Sequence, residues 1–436
     1  MNKNYILYSL LLLCLTMCMS LQAQGNLTLE DVKVITLENN FGIKIAKNDL
    51  SIAKNLTDKK INNYLPTLSA SGGLNGSFGG STQQFNNGSE ASTANAFTWG
   101  ANASIAATYT LYDKGRALTL EQLNESLILS DLQLRQTIEQ NLLQVYNSYY
   151  LIAQFNENLN ALEEAINITS ERLRRAEYNL ELGQGSGLEV LNAKVDIKRD
   201  SVNLINVIMN LNNEKRNLNV AMGRSASIEY QIAANAILTD DLNIESLMES
   251  SKANNINLQV IQQNLNVGEK NLKIIDAEKI PSLNTGASYD YNFQDNPSAA
   301  FINKSNSRGF SGNIGVNWTL FDGSRDLRKQ NAIINLNNQQ LQLDQLQKEI
   351  DRDILNAWSN YENAIYIIRV EESALETNEE NFTRTEEQFK FGQVSSIEFR
   401  QAQLNLLNSQ TSLNNARYDA KIRELQLLQL TGKLIN

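Results

Sequence analysis

Hydrophobic positions recur with two different periods along this chain, and the blocks in which each period holds alternate twice. In the first block of period two, Leu68, Ala70, Gly72, Leu74, Gly76 and Phe78 fall on one side of an extended chain, with Ser69, Ser71, Gly73, Asn75 and Ser77 on the other. The second runs from Phe97 through Trp99, Ala101, Ala103, Ile105, Ala107 and Tyr109 to Leu111, interleaved with Thr98, Gly100, Asn102, Ser104, Ala106, Thr108 and Thr110. Later in the chain Leu283, Thr285, Ala287, Tyr289, Tyr291 and Phe293 alternate with Asn284, Gly286, Ser288, Asp290, Asn292 and Gln294. Phe310, Gly312, Ile314, Val316, Trp318 and Leu320 do the same against Ser311, Asn313, Gly315, Asn317 and Thr319. Four long amphipathic strands are expected, at 66–79, 96–112, 282–294 and 309–321.

The remaining stretches carry the helical period. Leu120, Leu123, Leu127, Leu134, Ile138, Val145, Tyr149 and Ile152 recur at spacings of about 3, 4 and 7 in a stretch without proline. A helix from 114 to 182 would be roughly 100 Å long at ~1.5 Å per residue. The stretch from 324 to 390 behaves alike. Gly183 and Gly392 suit left-handed turns at the helix ends, and Ser186 and Ser395 can cap a returning helix, so helical hairpins are expected at 114–222 and 323–431. Leader helices are expected at 27–60 and 243–279. Pro66 and Pro281 mark the switch from leader to strand. Asp113 and Asp322 stand where a side chain can cap the next long helix, and Pro297 falls in a strand-to-strand loop.

The alternation is a duplication. Leu111-Tyr112-Asp113-Lys114-Gly115-Arg116 returns as Leu320-Phe321-Asp322-Gly323-Ser324-Arg325, 209 positions later. The same offset relates Leu182-Gly183-Gln184 to Phe391-Gly392-Gln393, and Gly223 to Gly432. Tyr64-Leu65-Pro66-Thr67-Leu68 returns as Lys279-Ile280-Pro281-Ser282-Leu283 at an offset of 215. The first structural repeat spans 24–223 and the second 243–436, with a linker at 224–242.

Composition narrows what such a chain can do. Its 436 residues are 42% hydrophobic and 20% charged, enough for a large core. The net charge of -10 argues against nucleic acid as a partner, and short basic stretches such as Arg172 to Arg175 read as solvated helix face. Residues 1–23 read as a secretory signal peptide cleaved near Ala23, with Cys14 and Cys18 inside it. The mature chain then has neither cysteine nor histidine, which excludes disulfides, thiolate or imidazole metal sites and His-assisted nucleophiles. No cofactor is expected, and an enzyme is not. Adjacent acidic pairs such as Glu163-Glu164 read as surface charge.

No apolar run after residue 23 is long enough for a membrane helix, so insertion must use strands. Small polar side chains on one face suit a wet lumen, and aromatic residues near strand ends suit the bilayer interfaces. The proposed lipid face carries almost no charge. Four strands cannot close a barrel in lipid, so two or more copies must pool theirs. An exported structural or adhesive coiled-coil protein without channel activity is the alternative; it would give no detergent-resistant oligomer in outer-membrane fractions.

The duplicated order of leader helix, Tyr64-Leu65-Pro66 motif, strand pair, Leu111-to-Arg116 motif, long helix, glycine turn and helix resembles the TolC family of outer-membrane efflux proteins. The resemblance covers essentially the whole mature chain. It implies a mainly α, internally duplicated fold with transmembrane β. Four strands per chain would enter a homotrimeric twelve-stranded barrel continuous with a long α-helical periplasmic barrel. It also implies a cell outer membrane location, contact with outer-membrane lipid, a periplasmic adaptor (membrane fusion) protein, and an inner-membrane transporter of the RND or ABC class. The chain has no Gly-rich Lys-Ser/Thr nucleotide loop, so the driving energy is expected from that partner. The turns at Gly183 and Gly392 would mark the periplasmic tip. By the same resemblance Glu398 and Gln401 occupy the family's acidic aperture positions, so one carboxylate is kept and one lost; Glu189 and Asn192 are the first-copy positions. Phe389 stands for the family's gating tyrosine and Val394 for its gating arginine.

Overall fold

A computed structural model describes residues 26–232, 235–239, 242–296 and 303–435. The expected signal peptide, with Cys14, Cys18 and Ala23, and the loop residue Pro297 lie outside the described residues. In chain order the elements are β1 (Asn26–Leu27), α1 (Leu29–Asn39), α2 (Phe41–Leu56), β2 (Thr67–Gln84), β3 (Glu90–Tyr112), α3 (Lys114–Glu181), α4 (Gly187–Ala221), β4 (Gln231–Ile232), α5 (Ile244–Asn254), α6 (Ile256–Ala277), β5 (Ser282–Asp295), β6 (Lys304–Asn317), α7 (Gly323–Lys390) and α8 (Ser396–Leu430). Corresponding hairpin helices match in length, 68 residues each in α3 and α7 and 35 each in α4 and α8, whereas α2 has 16 residues and α6 has 22. No described helix is long and apolar enough to cross a membrane.

Two compact units form, and neither follows the halves of the sequence. One gathers Met1–Asn48, Leu132–Gln259 and Asp344–Asn436; the other gathers Asp49–Asp131 and Val260–Leu343. Each unit draws on both repeats, because α3 and α7 contribute residues to both.

The second unit holds an antiparallel sheet in the order β2-β3-β5-β6. Its two hairpins share one register under the duplication. Thr67 pairs with Thr108, and their equivalents Ser282 and Asn317, 215 and 209 positions on, pair with each other. The strand ends differ from those expected. The first hairpin continues to Gln84 and Glu90 across a register shift between Gly79 and Ser81, which scrambles the alternation that the sequence pattern relies on. β6 stops at Asn317, not 321. Trp318 leaves the ladder and donates its indole N–H to the Lys279 carbonyl, 3.1 Å away.

The first unit is helical and buries Leu142, Val145, Tyr149 and Ile152 of α3 against Leu218 and Met222, the latter just after α4. A second cluster joins Ile350 and Ile354 of α7 to Leu427 of α8 and Leu247 of α5. The leader helices are not continuous. The first breaks at Asn40, whose Oδ1 accepts the Ile43 N–H (3.0 Å) while Nδ2 donates to the Ala221 carbonyl (2.7 Å). The second breaks at Asn255, whose Oδ1 accepts the Leu258 N–H (3.2 Å) while Nδ2 donates to the Leu430 carbonyl (2.8 Å). Each asparagine caps the second half of its leader and also satisfies a free carbonyl at the end of a hairpin helix.

Described residues of the segment expected as linker, 224–242, belong to this core, among them Tyr230, Ile232 and Leu238. Tyr230 is buried, Gln231–Ile232 pairs in parallel with Asn26–Leu27, and Thr239 Oγ1 donates to the buried Glu424 carboxylate at 2.6 Å.

Candidate functional site

The sheet separates its side chains by chemistry. Where all four strands pair, one face carries five rows. They are Thr67, Thr108, Gly286 and Asn313; Ser69, Ala106, Ser288 and Ser311; Ser71, Ser104, Asp290 and Gly309; Gly73, Asn102, Asn292 and Ser307; and Asn75, Gly100, Gln294 and Ser305. The opposite face carries Leu68, Ala70, Leu74, Ile105, Tyr289, Phe310, Ile314 and Val316, with Trp99 packed on Phe293 at 5.1 Å between ring centroids near the loop end. Aromatic rings near strand ends over an apolar band fit a membrane-facing wall. That face is less free of charge than expected: Arg308 lies opposite Tyr291, and Lys304 bridges to Asp295 at 3.7 Å at the loop end.

At the opposite strand ends, Pro66 and Pro281 immediately precede β2 and β5, where a missing N–H costs no ladder bond. Asp113 Oδ1 accepts the Arg116 N–H (3.2 Å) in the first turn of α3. Asp322 Oδ1 accepts the Ser324 N–H (2.9 Å) and hydroxyl (2.7 Å), and Oδ2 takes Arg328 at 3.0 Å. These bonds, those from Ser324 foremost, hold the Asp322 carboxyl down at about 2. The two junctions are clamped differently. Arg116 donates to the carbonyls of Asn63 (2.7 Å) and Thr110 (3.0 Å) and lies 4.3 Å over the Tyr64 ring; in the second copy Arg328, not Arg325, does the bridging.

The residues expected at the tip belong to the helical unit. Gly183 (φ 71°) and Gly392 (φ 72°) close matching helix ends. Gln184 N–H bonds to Asn179 O and Gln393 N–H to Gln388 O, both at 2.9 Å. Ser186 accepts the Leu188 N–H. Ser395 and Glu398 form a reciprocal capping box: the Glu398 carboxylate accepts the Ser395 N–H (2.7 Å) and hydroxyl (2.8 Å), while Ser395 Oγ accepts the Glu398 N–H (3.2 Å). Those bonds hold the exposed Glu398 carboxyl below its ordinary value. Gln401 is exposed and donates to Asn405, Asn192 is exposed, and Glu189 and Val394 are half-buried. Phe389 stacks on Phe399 at 4.6 Å, and the Arg175 guanidinium lies 5.3 Å from the Phe389 ring centroid and donates to the Lys390 carbonyl (2.6 Å). A cleft of about 820 Å³ opens here, lined by Arg172, Arg175, Tyr178, Phe389 and Phe399.

Beside it lies a buried polar cluster that the sequence reading missed. Arg400, only 6% exposed, bonds Asp200 (1% exposed) at 2.6 Å and Thr169 at 3.1 Å. Gln403 joins Thr169 (2.9 Å) and the Ala165 carbonyl (2.7 Å). Arg172 is not solvated helix face. It is buried and ion-paired with Asp196, because α4 and α8 cover that side of α3. The cluster couples both helices of the first hairpin to α8, some 200 residues on, so no local motif announces it. Among the described residues no group of acidic side chains is arranged to hold a metal ion.

Against known proteins, the family model described as outer membrane efflux protein matches residues 34–224 and again 247–433. Outer membrane protein TolC of Vibrio cholerae serotype O1 is 21% identical over 339 residues, covering 76% of this chain and 77% of the relative. The solved outer membrane protein VceC of Vibrio cholerae has a TM-score of 0.71 at 14% identity, covering 93% of this chain and 96% of that one. The CmeC outer membrane channel of Campylobacter jejuni has a TM-score of 0.74 at 14% identity, covering 93% and 86%. The open-state MtrE outer membrane channel of Neisseria gonorrhoeae has a TM-score of 0.71 at 15% identity, covering 93% and 89%. At these identities the solved structures speak for the fold.

Proposed function

The chain belongs to the outer membrane efflux protein family, and on that premise we propose that three copies form one passive duct through the outer membrane. The duct serves a tripartite efflux or type I secretion assembly. The observation that carries this reading is the open sheet. β2 and β6 each have a strand on one side only, and an unpaired edge in hydrocarbon leaves backbone N–H and C=O groups without partners. Pooling four strands from each of three chains closes the edges into twelve strands, a barrel wide enough for an aqueous channel. The Ser, Thr, Asn and Gly face then lines the lumen and the apolar face meets outer-membrane lipid.

The turns at Gly183 and Gly392 form the periplasmic tip, where a periplasmic adaptor and an inner-membrane transporter of the RND or ABC class dock. That transporter supplies the energy. Three Glu398 carboxylates near one axis make a negative ring that favours cations. With phenylalanine at 389 and valine at 394, the Arg175 contact with Phe389 and the Lys390 carbonyl links the two hairpins of a protomer in place of a tyrosine and arginine latch.

The test is mass and conductance together. Extracted in mild detergent, the protein should scatter light as three chains and conduct ions in planar bilayers. A stable monomer without conductance would favour the structural coiled-coil alternative and sink the duct.

A further inference from the structure

Across the five polar rows where all four strands pair, Asp290 is the one charged side chain among Ser, Thr, Asn, Gln, Gly and Ala. Its carboxylate is fixed from two sides. Ser104, its direct cross-strand neighbour, donates to Oδ1 at 2.6 Å, and Ser288, two residues earlier on the same face, donates to Oδ2 at 2.6 Å. Because the Ser288 proton is committed to Asp290, Ser311 donates to Ser288 at 2.9 Å. Three hydroxyls on three strands thus orient one carboxylate. Among the described residues no lysine or arginine bonds to it: the two basic residues of β6, Lys304 and Arg308, lie on the opposite face.

The geometry points to Asp290 as a charge-selecting residue of the barrel lumen, one per chain and three per duct, favouring cationic over anionic solutes. This rests on the reading of the polar face as lumen. It is independent of Glu398, which lies in the other compact unit. A wide lumen sets the scale of the effect. The field of a carboxylate in water falls off within ~10 Å at 0.1 M salt and ~30 Å at 0.01 M, so discrimination is strong only in dilute solution or for solutes passing close to the wall.

A local reporter tests this without interference from the tip. Ser71 lies in the same row, two strands from Asp290 and about 10 Å away at ~4.8 Å per strand. Outside positions 14 and 18 the chain has no cysteine, so Ser71→Cys combined with Cys14→Ser and Cys18→Ser gives a single reactive thiol. Membrane-impermeant cationic and anionic methanethiosulfonates of equal size are applied to trimers in bilayers. At 10 mM salt the cationic reagent should react about threefold faster relative to the anionic one than it does with Asp290→Asn also present. The preference should vanish at 1 M salt, and Asp290→Glu should retain it. Reaction without charge preference in the Asp290 background, or a preference insensitive to salt, overturns the role of Asp290 and leaves the lumen standing. No reaction with either reagent overturns the lumen assignment itself, and the proposal with it.

Discussion

At the scale of single residues, the side chains at the tip are committed to holding helices together as well as to any channel role. Glu398 closes a capping box with Ser395, and Ser-x-x-Glu before a helical stretch is readable in the sequence. Ser395→Ala should cost roughly 1 kcal/mol in thermal or denaturant unfolding. Glu398→Gln keeps an acceptor for Ser395, so melting should stay put while cation preference in bilayers falls. Unchanged selectivity would remove Glu398 from the aperture. The Arg400, Asp200, Thr169 and Gln403 cluster was illegible, because each member looks like ordinary helix surface until three helices pack. Asp200→Ala removes the nearer of two carboxylates from the buried Arg400 guanidinium, leaving Asp196 at 3.7 Å, and should lower stability by about 3 kcal/mol, more than the exposed ion pair Arg417 with Glu372 contributes. Asp322 adds a pH signature. Its folded value, about 2, lies below the ordinary 3.8, so its stabilisation is present above pH ~4 and is lost as pH falls toward 2. Melting curves of wild type and Asp322→Asn should converge across that window, and a constant gap would assign the stabilisation elsewhere.

At the scale of elements, period and punctuation located all four strands and both long hairpins, since each face meets one environment along its length. They failed where a distant group decides. Nothing local distinguishes Asn40 or Asn255 from other helix asparagines; the carbonyls of Ala221 and Leu430 make them breaks. The glycines that end the hairpins are tied to the same places. A Cβ at Gly223 would lie 2.3 Å from the Asn39 carbonyl oxygen, and one at Gly432 would lie 2.5 Å from that of Asn254, on top of positive φ at both. Gly183 and Gly392 share the positive φ but have open space around them. Gly183→Ala should therefore cost only the left-handed penalty, about 1 to 2 kcal/mol, whereas Gly223→Ala should cost clearly more. Equal shifts in melting temperature would mean that the leader helix yields to the new methyl.

At the scale of the whole molecule, the repeat fixes a register that no single chain displays. Within the chain, Ala107 of β3 pairs with Ala287 of β5. Their equivalents under the duplication are Val316, 209 positions on, and Gly72, 215 positions back. Val316 should then face Gly72 of the partner subunit, which brings Ile314 opposite Leu74 of the partner subunit and Phe310 opposite Phe78 of the partner subunit. Oxidising an Ile314→Cys, Leu74→Cys double variant should give covalent oligomers on denaturing gels, while Ile314→Cys with Phe78→Cys should give few. The reverse pattern would shift the register, and no cross-link in either would dismiss this edge pairing. The compact units were not legible in the sequence, because they cut across the repeats that the sequence shows. That crossing has a consequence for ancestry. With hairpins of one register and hairpin helices of equal length, a β3–β5 seam repeated between chains would make the duct six near-equivalent modules. A half-length chain could have built it as a hexamer. Fusion of modules in pairs leaves alternate stations able to differ, and they do: Ser395 closes a box with Glu398, while Ser186, at the same station, caps its helix without Glu189.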